Sequence, residues 1–283
     1  MTSIKATSAA TVVITGAAGF LGRALGKIAA DSGHRVVAVS RRPIAGMTQV
    51  DDYRRTPGGD VLIHLAEEPD RAVVNRLGDT YVRQVRETVE ALARHRYQRV
   101  IYASSAAVYG DQRGSPCGID LKIAASDAYS QAKLSNEGVV LDSEGVVLRL
   151  SNLFGPGMSE NNVISDILRQ VPGDGPVVVR DDQPVRDYLW VADAATVFNM
   201  MIANHYCGLL NVGSGIGSSV RTIAQLALGL VQQGTREILA SVPGARPSTN
   251  VLDISRTTEL LGWTPAYSLR AGLAHLLTHR NGS

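Results

Sequence analysis

The chain has 283 residues, 45% of them hydrophobic, with 28 basic against 26 acidic side chains and a formal charge of +2. That length suits one large α/β domain or a domain with a smaller companion, and the apolar content is ample for a packed core. No basic block marks a nucleic-acid or membrane-surface binder, and no stretch approaches the ~18 consecutive apolar residues of a membrane span, so the expected partner is a small molecule. Cys117 and Cys207 have no metal-type spacing and imply no disulfide framework, and the first residues carry no leader pattern, so a cytoplasmic protein is expected.

β-branched runs at 11–15, 35–39, 61–65, 99–103 and 146–150 predict buried strands. Helical patterns at 20–30, 79–95 and 126–141 separate them. Strands joined by crossover helices imply a parallel sheet covered on both faces, the doubly wound Rossmann arrangement of an α/β protein. Between 39 and 61, Pro43, Gly46, Pro57, Gly58 and Gly59 leave room for a short strand near 47–50 but not for a full crossover helix. After 150 the pattern is cut by Gly155-Pro156-Gly157, Pro172-Gly173 and Gly175-Pro176, and helices return at 191–202, 220–232 and 269–278. The expected organisation is a dinucleotide-binding domain from 1–150 and 186–212, with a smaller substrate-binding lobe from 151–185 and 213–283.

Gly16, Gly19 and Gly22 follow the first strand and open the first helix, with Phe20 and Leu21 between the last two. Glycine lets a backbone turn tightly and approach a pyrophosphate, while the helix start supplies free N–H groups and the positive end of the dipole. The second strand ends Ser40-Arg41-Arg42, with no carboxylate before Asp51. An acidic residue there would suit the ribose hydroxyls of NAD; a hydroxyl and two guanidinium groups suit the 2′-phosphate of NADP. NADP is therefore the expected cofactor, with NAD the alternative.

In YSQAK, Tyr129 and Lys133 stand four apart, one turn apart on one helix face. A cation there favours the phenolate and draws a tyrosine down from its reference near ~10, making it a usable acid or base. Only 4 of the 28 basic residues are lysines, so this position uses a compact ammonium in a chain that otherwise prefers arginine. Ser104 and Ser105 supply a hydroxyl pair upstream.

Taken together, GAAGFLG from Gly16, HLA from His64, SSAAVYG from Ser104 and YSQAK from Tyr129 resemble the extended short-chain dehydrogenases/reductases, in the nucleoside-diphosphate-sugar epimerase and dehydratase branch. LRLSNLFGPG from Leu148, RDYLWVAD from Arg186, NVGSG from Asn211, Arg246-Pro247 and LGWTP from Leu261 extend the likeness over nearly the whole chain. The resemblance implies that Tyr129 exchanges a proton with the sugar oxygen, that Lys133 tunes it and binds the nicotinamide ribose, and that Ser105 hydrogen-bonds the reacting oxygen, with Ala106 beside it. It places Leu65 and Ala66 against the cofactor, with Asp51 the candidate for the adenine side. Asn152, Arg186 and Arg246 would contact the diphosphate of the sugar nucleotide. A homodimer packed through the helices at 79–95 and 126–141 is also implied.

Departures from the pattern narrow the chemistry. The branch's 4,6-dehydratases carry an Asp-Glu pair where this chain has Ala106 and Ala107, and its epimerising reductases carry a Cys and a His where this chain has Ala106 and, near the second place, Gly157. Neither elimination nor second-site proton abstraction has its usual groups. The expected reaction is NADPH-dependent reduction of a nucleotide-linked 4-keto(-6-deoxy)hexose, with Tyr129 as proton donor. The alternatives are a sugar-nucleotide 4-epimerase with tightly bound NAD and a non-catalytic dinucleotide-binding regulator. Glu67-Glu68 stands where small residues are common in the family and has no assigned role. Asp181-Asp182 reads as a turn, Cys117 as a free thiol, and His275 with His279 as a surface pair without a third metal ligand.

Overall fold

The β-branched runs lie where a parallel sheet needs them. The computed structural model describes residues 9–95, 97–111, 116–123, 125–242 and 248–280, so Arg246 and Pro247 lie outside the described residues. In chain order the structure runs through β1 (Thr11–Thr15), α1 (Phe20–Asp31), β2 (Arg35–Ser40), β3 (Thr48–Gln49), β4 (Val61–His64), α2 (Arg71–Arg94), β5 (Arg99–Ser105), α3 (Ala128–Asp142) and β6 (Val146–Leu150). There follow β7 (Asn152–Phe154), α4 (Val163–Gln170), β8 (Val177–Val179), β9 (Val185–Trp190), α5 (Val191–Ala203) and β10 (Gly208–Val212). The chain then forms β11 (Gly217–Ser219), α6 (Val220–Leu230), β12 (Ile238–Ala240), β13 (Thr249–Asn250), α7 (Ser255–Leu261) and α8 (Leu269–Arg280).

Two compact units divide the chain: residues up to 108, 125–149 and 195–210 form the first, and 109–124, 150–194 and those from 211 onward form the second. The first is built on a seven-stranded sheet in the order β10-β6-β5-β4-β1-β2-β3. Strand β1 pairs in parallel with β2 on one side and β4 on the other, which makes its carboxyl end the switch point where doubly wound sheets bind ligands. Between β2 and β4 the chain forms only β3 and a 3₁₀ turn at Tyr53–Arg55, with no crossover helix. Val13, Leu62, Tyr102, Val140 and Val147 pack together in the core of this unit.

Helix α2 begins earlier than the pattern at 79–95 predicts, at Arg71, and breaks at Gly78, whose φ of 57° and ψ of −143° are not helical. A positive φ of this kind favours glycine, and glycine reads in the sequence as a helix boundary. Asp70 caps the added turns by accepting from Ala72 N and Val73 N.

The second unit holds a sheet in the order β11-β9-β13, with β7 also paired to β9, and a separate β12-β8 pair. Its core gathers Phe154, Ile167, Trp190, Ile223 and Leu273. A Cβ at Gly272 would meet the Phe154 ring at 2.5 Å, so α8 lies close against that ring. Compared with the expected boundaries, residues 109–124, 150, 186–194 and 211–212 fall in the second unit. The reason is pairing: β9 bonds to β7, β11 and β13, and Cys117 bridges to Leu252.

Candidate active site

The glycine turn sits at the carboxyl end of β1. Gly16 has φ +69°, and a Cβ on it would lie 3.0 Å from Ala66 N and Cα, so glycine lets the segment after β4 close against the turn. A Cβ on Gly22 would lie 2.4 Å from Gly16 O, so α1 also approaches the turn closely. Gly19 is the N-cap of α1, in extended conformation and without a side-chain cap. The first N–H groups of a 12-residue helix are thus left for an anion. These residues fit a dinucleotide pyrophosphate, with Phe20 and Leu21 in the first turn and Leu65 and Ala66 against the glycines.

At the end of β2, Ser40 is buried and its Oγ accepts from Arg42 N at 3.0 Å. Arg41 and Arg42 are exposed, and Arg41 Cζ lies 5.4 Å from the Tyr53 ring centre. Asp51 is exposed and pairs with Arg55 at 2.8 Å, and Asp52 pairs with Arg54 at 2.5 Å. The nearby carboxylates thus have their own arginines, and among the described residues neither Arg41 nor Arg42 forms an ion pair.

The two serines at the end of β5 have different partners. Ser104 Oγ donates to Glu137 Oε1 at 2.5 Å, and Glu137 is held by Arg149 through Nε at 2.9 Å and Nη2 at 2.6 Å, all buried. Ser104 therefore belongs to a structural network. Ser105 Oγ accepts from Ala107 N at 3.1 Å and keeps its own proton for another acceptor. Ala106 and Ala107 follow on a 3₁₀ turn at Ala106–Tyr109, where no acid or base replaces them.

Tyr129 and Lys133 both lie on α3, as the spacing predicts. The start of this helix is clamped: Asp127 accepts from Ser130 N at 2.9 Å, Arg71 Nε at 2.5 Å and Asn75 Nδ2 at 3.0 Å, while Asn75 Oδ1 accepts from Tyr129 N at 3.1 Å. Burial would raise the Asp127 carboxyl, but the bonds from Ser130, Arg71 and Asn75 outweigh it and hold it at about 2. Tyr129 itself is half-buried, and among the described residues its hydroxyl has no hydrogen-bond partner.

The lysine has a partner that the motif does not announce. Lys133 Nζ lies 2.8 Å from Glu67 Oε2 and donates to Ala103 O at 2.9 Å, against 6.0 Å to the Tyr129 ring centre. Glu67 Oε1 accepts from the Tyr102 hydroxyl at 2.7 Å and Asn136 Nδ2 at 2.8 Å. Burial would raise Glu67, but the Lys133 charge and these bonds hold its carboxyl below the usual range. Burial would likewise lower Lys133, and the Glu67 charge outweighs it. Below the pair, burial pushes His64 down to about 4, and its Nδ1 lies 2.7 Å from Thr15 Oγ1. Glu67 was visible in the sequence only as two acidic residues after HLA; nothing local indicated which way it turned. Glu68 stays nearer its own loop, its N donating to Tyr81 Oη and its Oε1 accepting from Asp70 N.

In the second unit, Asn152 is exposed and donates to Asp187 O at 3.2 Å. Arg186 Nη1 donates to Val185 O and Ser248 O, and its Nη2 to Ser248 Oγ at 2.6 Å. Cys117 is a buried free thiol that burial pushes upward. His275 and His279 stack at 4.0 Å, and among the described residues no group of three His, Cys, Asp or Glu side chains is placed to hold a metal ion. Among the same residues, no helix is long and apolar enough to cross a membrane.

Glycines at the switch point, an uncapped helix start and a serine, tyrosine and lysine at the ends and faces of neighbouring elements define a Rossmann-fold, NAD(P)-binding enzyme of the oxidoreductase or epimerase kind. The chain belongs to the NAD dependent epimerase/dehydratase family, whose model matches residues 12–213. It is 23% identical to an uncharacterized UDP-glucose epimerase, YtcB, of Bacillus subtilis, over 95% of this chain and 97% of the relative. It is 27% identical to dTDP-6-deoxy-L-talose 4-dehydrogenase (NAD(P)(+)) of Kitasatospora kifunensis, over 96% of each. The structure of MoeE5 in complex with UDP-glucuronic acid and NAD superposes with a TM-score of 0.81 and 26% identity, covering 96% of this chain and 99% of that one.

Proposed function

We propose that the protein reduces the 4-ketone of a nucleotide-linked hexose or 6-deoxyhexose with NADPH. The observation that carries this reading is the site's economy of acid and base. Ser105 and Tyr129 have hydroxyl groups available to a ligand, whereas Ala106 and Ala107 supply nothing for elimination or a second proton abstraction. The likeness to a sugar-nucleotide 4-dehydrogenase supports the same carbon and the same redox change, run in reverse.

When bound, the nicotinamide supplies the hydride. Tyr129 gives its proton to the developing alkoxide, Ser105 donates to that oxygen, and Lys133 holds a positive charge one turn away and binds the ribose hydroxyls. Ser40, Arg41 and Arg42 hold the 2′-phosphate of NADPH, supported by the absence of an ion pair on either arginine among the described residues. Asn152, Arg186 and Arg246 bind the diphosphate of the sugar nucleotide.

A second reading, 4-epimerisation with retained NAD, uses the same residues and is favoured by the likeness to a UDP-glucose epimerase. Incubating the purified protein with NADPH or NADH and a panel of nucleotide-linked 4-keto-6-deoxyhexoses, with absorbance and product analysis, separates the two. Net NADPH oxidation, lost in Tyr129→Phe, is expected. Interconversion of two sugars without net cofactor consumption would establish the epimerase, and cofactor binding without turnover a regulator.

A further inference from the structure

Glu67 stands where the resembled family commonly has a small residue, yet it is turned inward and its side chain is only 6% exposed. Its two oxygens take a salt bridge from Lys133 and hydrogen bonds from Tyr102 and Asn136. Lys133 has three N–H donors; Glu67 and Ala103 O take two, which leaves one for a ligand. Tyr129 therefore faces a charge pair, with the ammonium 2.8 Å from a carboxylate and 6.0 Å from the phenol ring centre.

We propose that Glu67 is a positioning residue that balances the charge of Lys133, keeps Tyr129 protonated, and so biases the site toward donating a proton to a ketone over taking one from an alcohol. The direction named here rests on the reductase reading above; the balancing itself does not. A lone cation draws a neighbouring phenol toward its anion, and a carboxylate beside that cation opposes the effect. Over several ångströms at protein-like dielectric, one added charge moves an ionisation by the order of one pH unit.

The other groups around the pair leave it the deciding charges. From β4, His64 is neutral because burial pushes it to about 4. From β5, Tyr102 is held well above the ordinary phenol range by burial and by Glu67, and from α2, Tyr81 is pushed to about 12, chiefly by burial. Both stay protonated near neutral pH. Glu68, in the loop beside Glu67, makes its hydrogen bond within its own segment, to Asp70 N. On α3, Glu137 is matched by Arg149, and at its start Asp127 is matched by Arg71.

The test labels the tyrosines of the full-length protein with ¹³Cζ and follows their NMR titration without cofactor, assigning Tyr129 by the signal lost in Tyr129→Phe. Wild type is compared with Glu67→Gln, Glu67→Ala and Glu67→Asp. The Tyr129 signal is expected to titrate about one pH unit or more lower in the first two, and close to wild type in Glu67→Asp, which keeps the charge. An unchanged or upward-moving titration in the charge-removing variants overturns the proposal. Glu67→Ala, which restores a small residue, keeps the test open if Glu67→Gln does not fold. In NADPH-dependent reduction the high-pH loss of activity should move the same way. If no ketosugar is reduced but the NMR shift is seen, the charge balance stands and the reductase reading fails.

Discussion

Lys133 Nζ stands 2.8 Å from Glu67 Oε2, and both side chains are almost wholly removed from solvent. Removing one member leaves the other charge buried and unmatched, which typically costs about 3–5 kcal/mol. Lys133→Met alone is thus expected to be strongly destabilised in urea unfolding. The double variant Lys133→Met/Glu67→Met should recover most of that loss, because no charge then stays behind. Equal destabilisation of the single and double variants would mean that the pair is not coupled.

Asp127 holds the first turn of α3, and therefore Tyr129, through Ser130 N, Arg71 and Asn75. Asp127→Ala removes a helix cap worth about 0.5–2 kcal/mol. Thermal unfolding should register that loss. Turnover should fall while cofactor affinity stays near wild type, because the displaced group is the proposed proton donor and the glycine turn lies elsewhere.

His64 gives stability a sign with pH. Its folded-state value is lowered to about 4 from 6.5, so the unfolded chain takes up a proton first as the solution is acidified. The stability associated with the neutral imidazole is complete above the unfolded value and is lost as pH falls from about 6.5 toward 4, by up to about 3 kcal/mol. Urea midpoints measured across that window should fall in wild type and flatten in His64→Leu.

In the proposed reading, Arg41 and Arg42 carry the choice of dinucleotide. Charge-assisted contacts to a phosphate are worth about 1.5–3 kcal/mol each. Replacing both by Ala should weaken NADPH binding tenfold or more and leave NADH binding nearly unchanged, read by fluorescence titration of each cofactor. Equal losses for the two cofactors would remove the 2′-phosphate assignment.

The glycine turn, the strand-by-strand alternation and the Tyr129–Lys133 spacing were legible in the sequence because each depends on neighbours within one or two turns. The missing crossover helix before β4 was legible for the same reason, from the prolines and glycines between 39 and 61. The early start of α2 was not, since Gly78 reads as a boundary while the chain resumes its helix beyond it. Nor was the partner of Ser104: the resemblance singles out Ser105, but adjacent residues on one strand point to opposite faces, and only the fold shows that Ser104 meets the Glu137–Arg149 pair.

The sequence by itself determined the class of fold, and it pointed to the turn that fits a pyrophosphate and to the phenol, hydroxyl and ammonium of the candidate site, because periodicity and motif spacing are local properties. Tertiary structure alone decided what Lys133 touches. Its carboxylate partner lies on the segment after β4, 66 positions away, and is joined there by Tyr102 from β5. Burial and long-range charge are properties of the assembled sheet and helices, and only folding could turn Glu67 from an acidic residue in a loop into the counter-ion of the lysine.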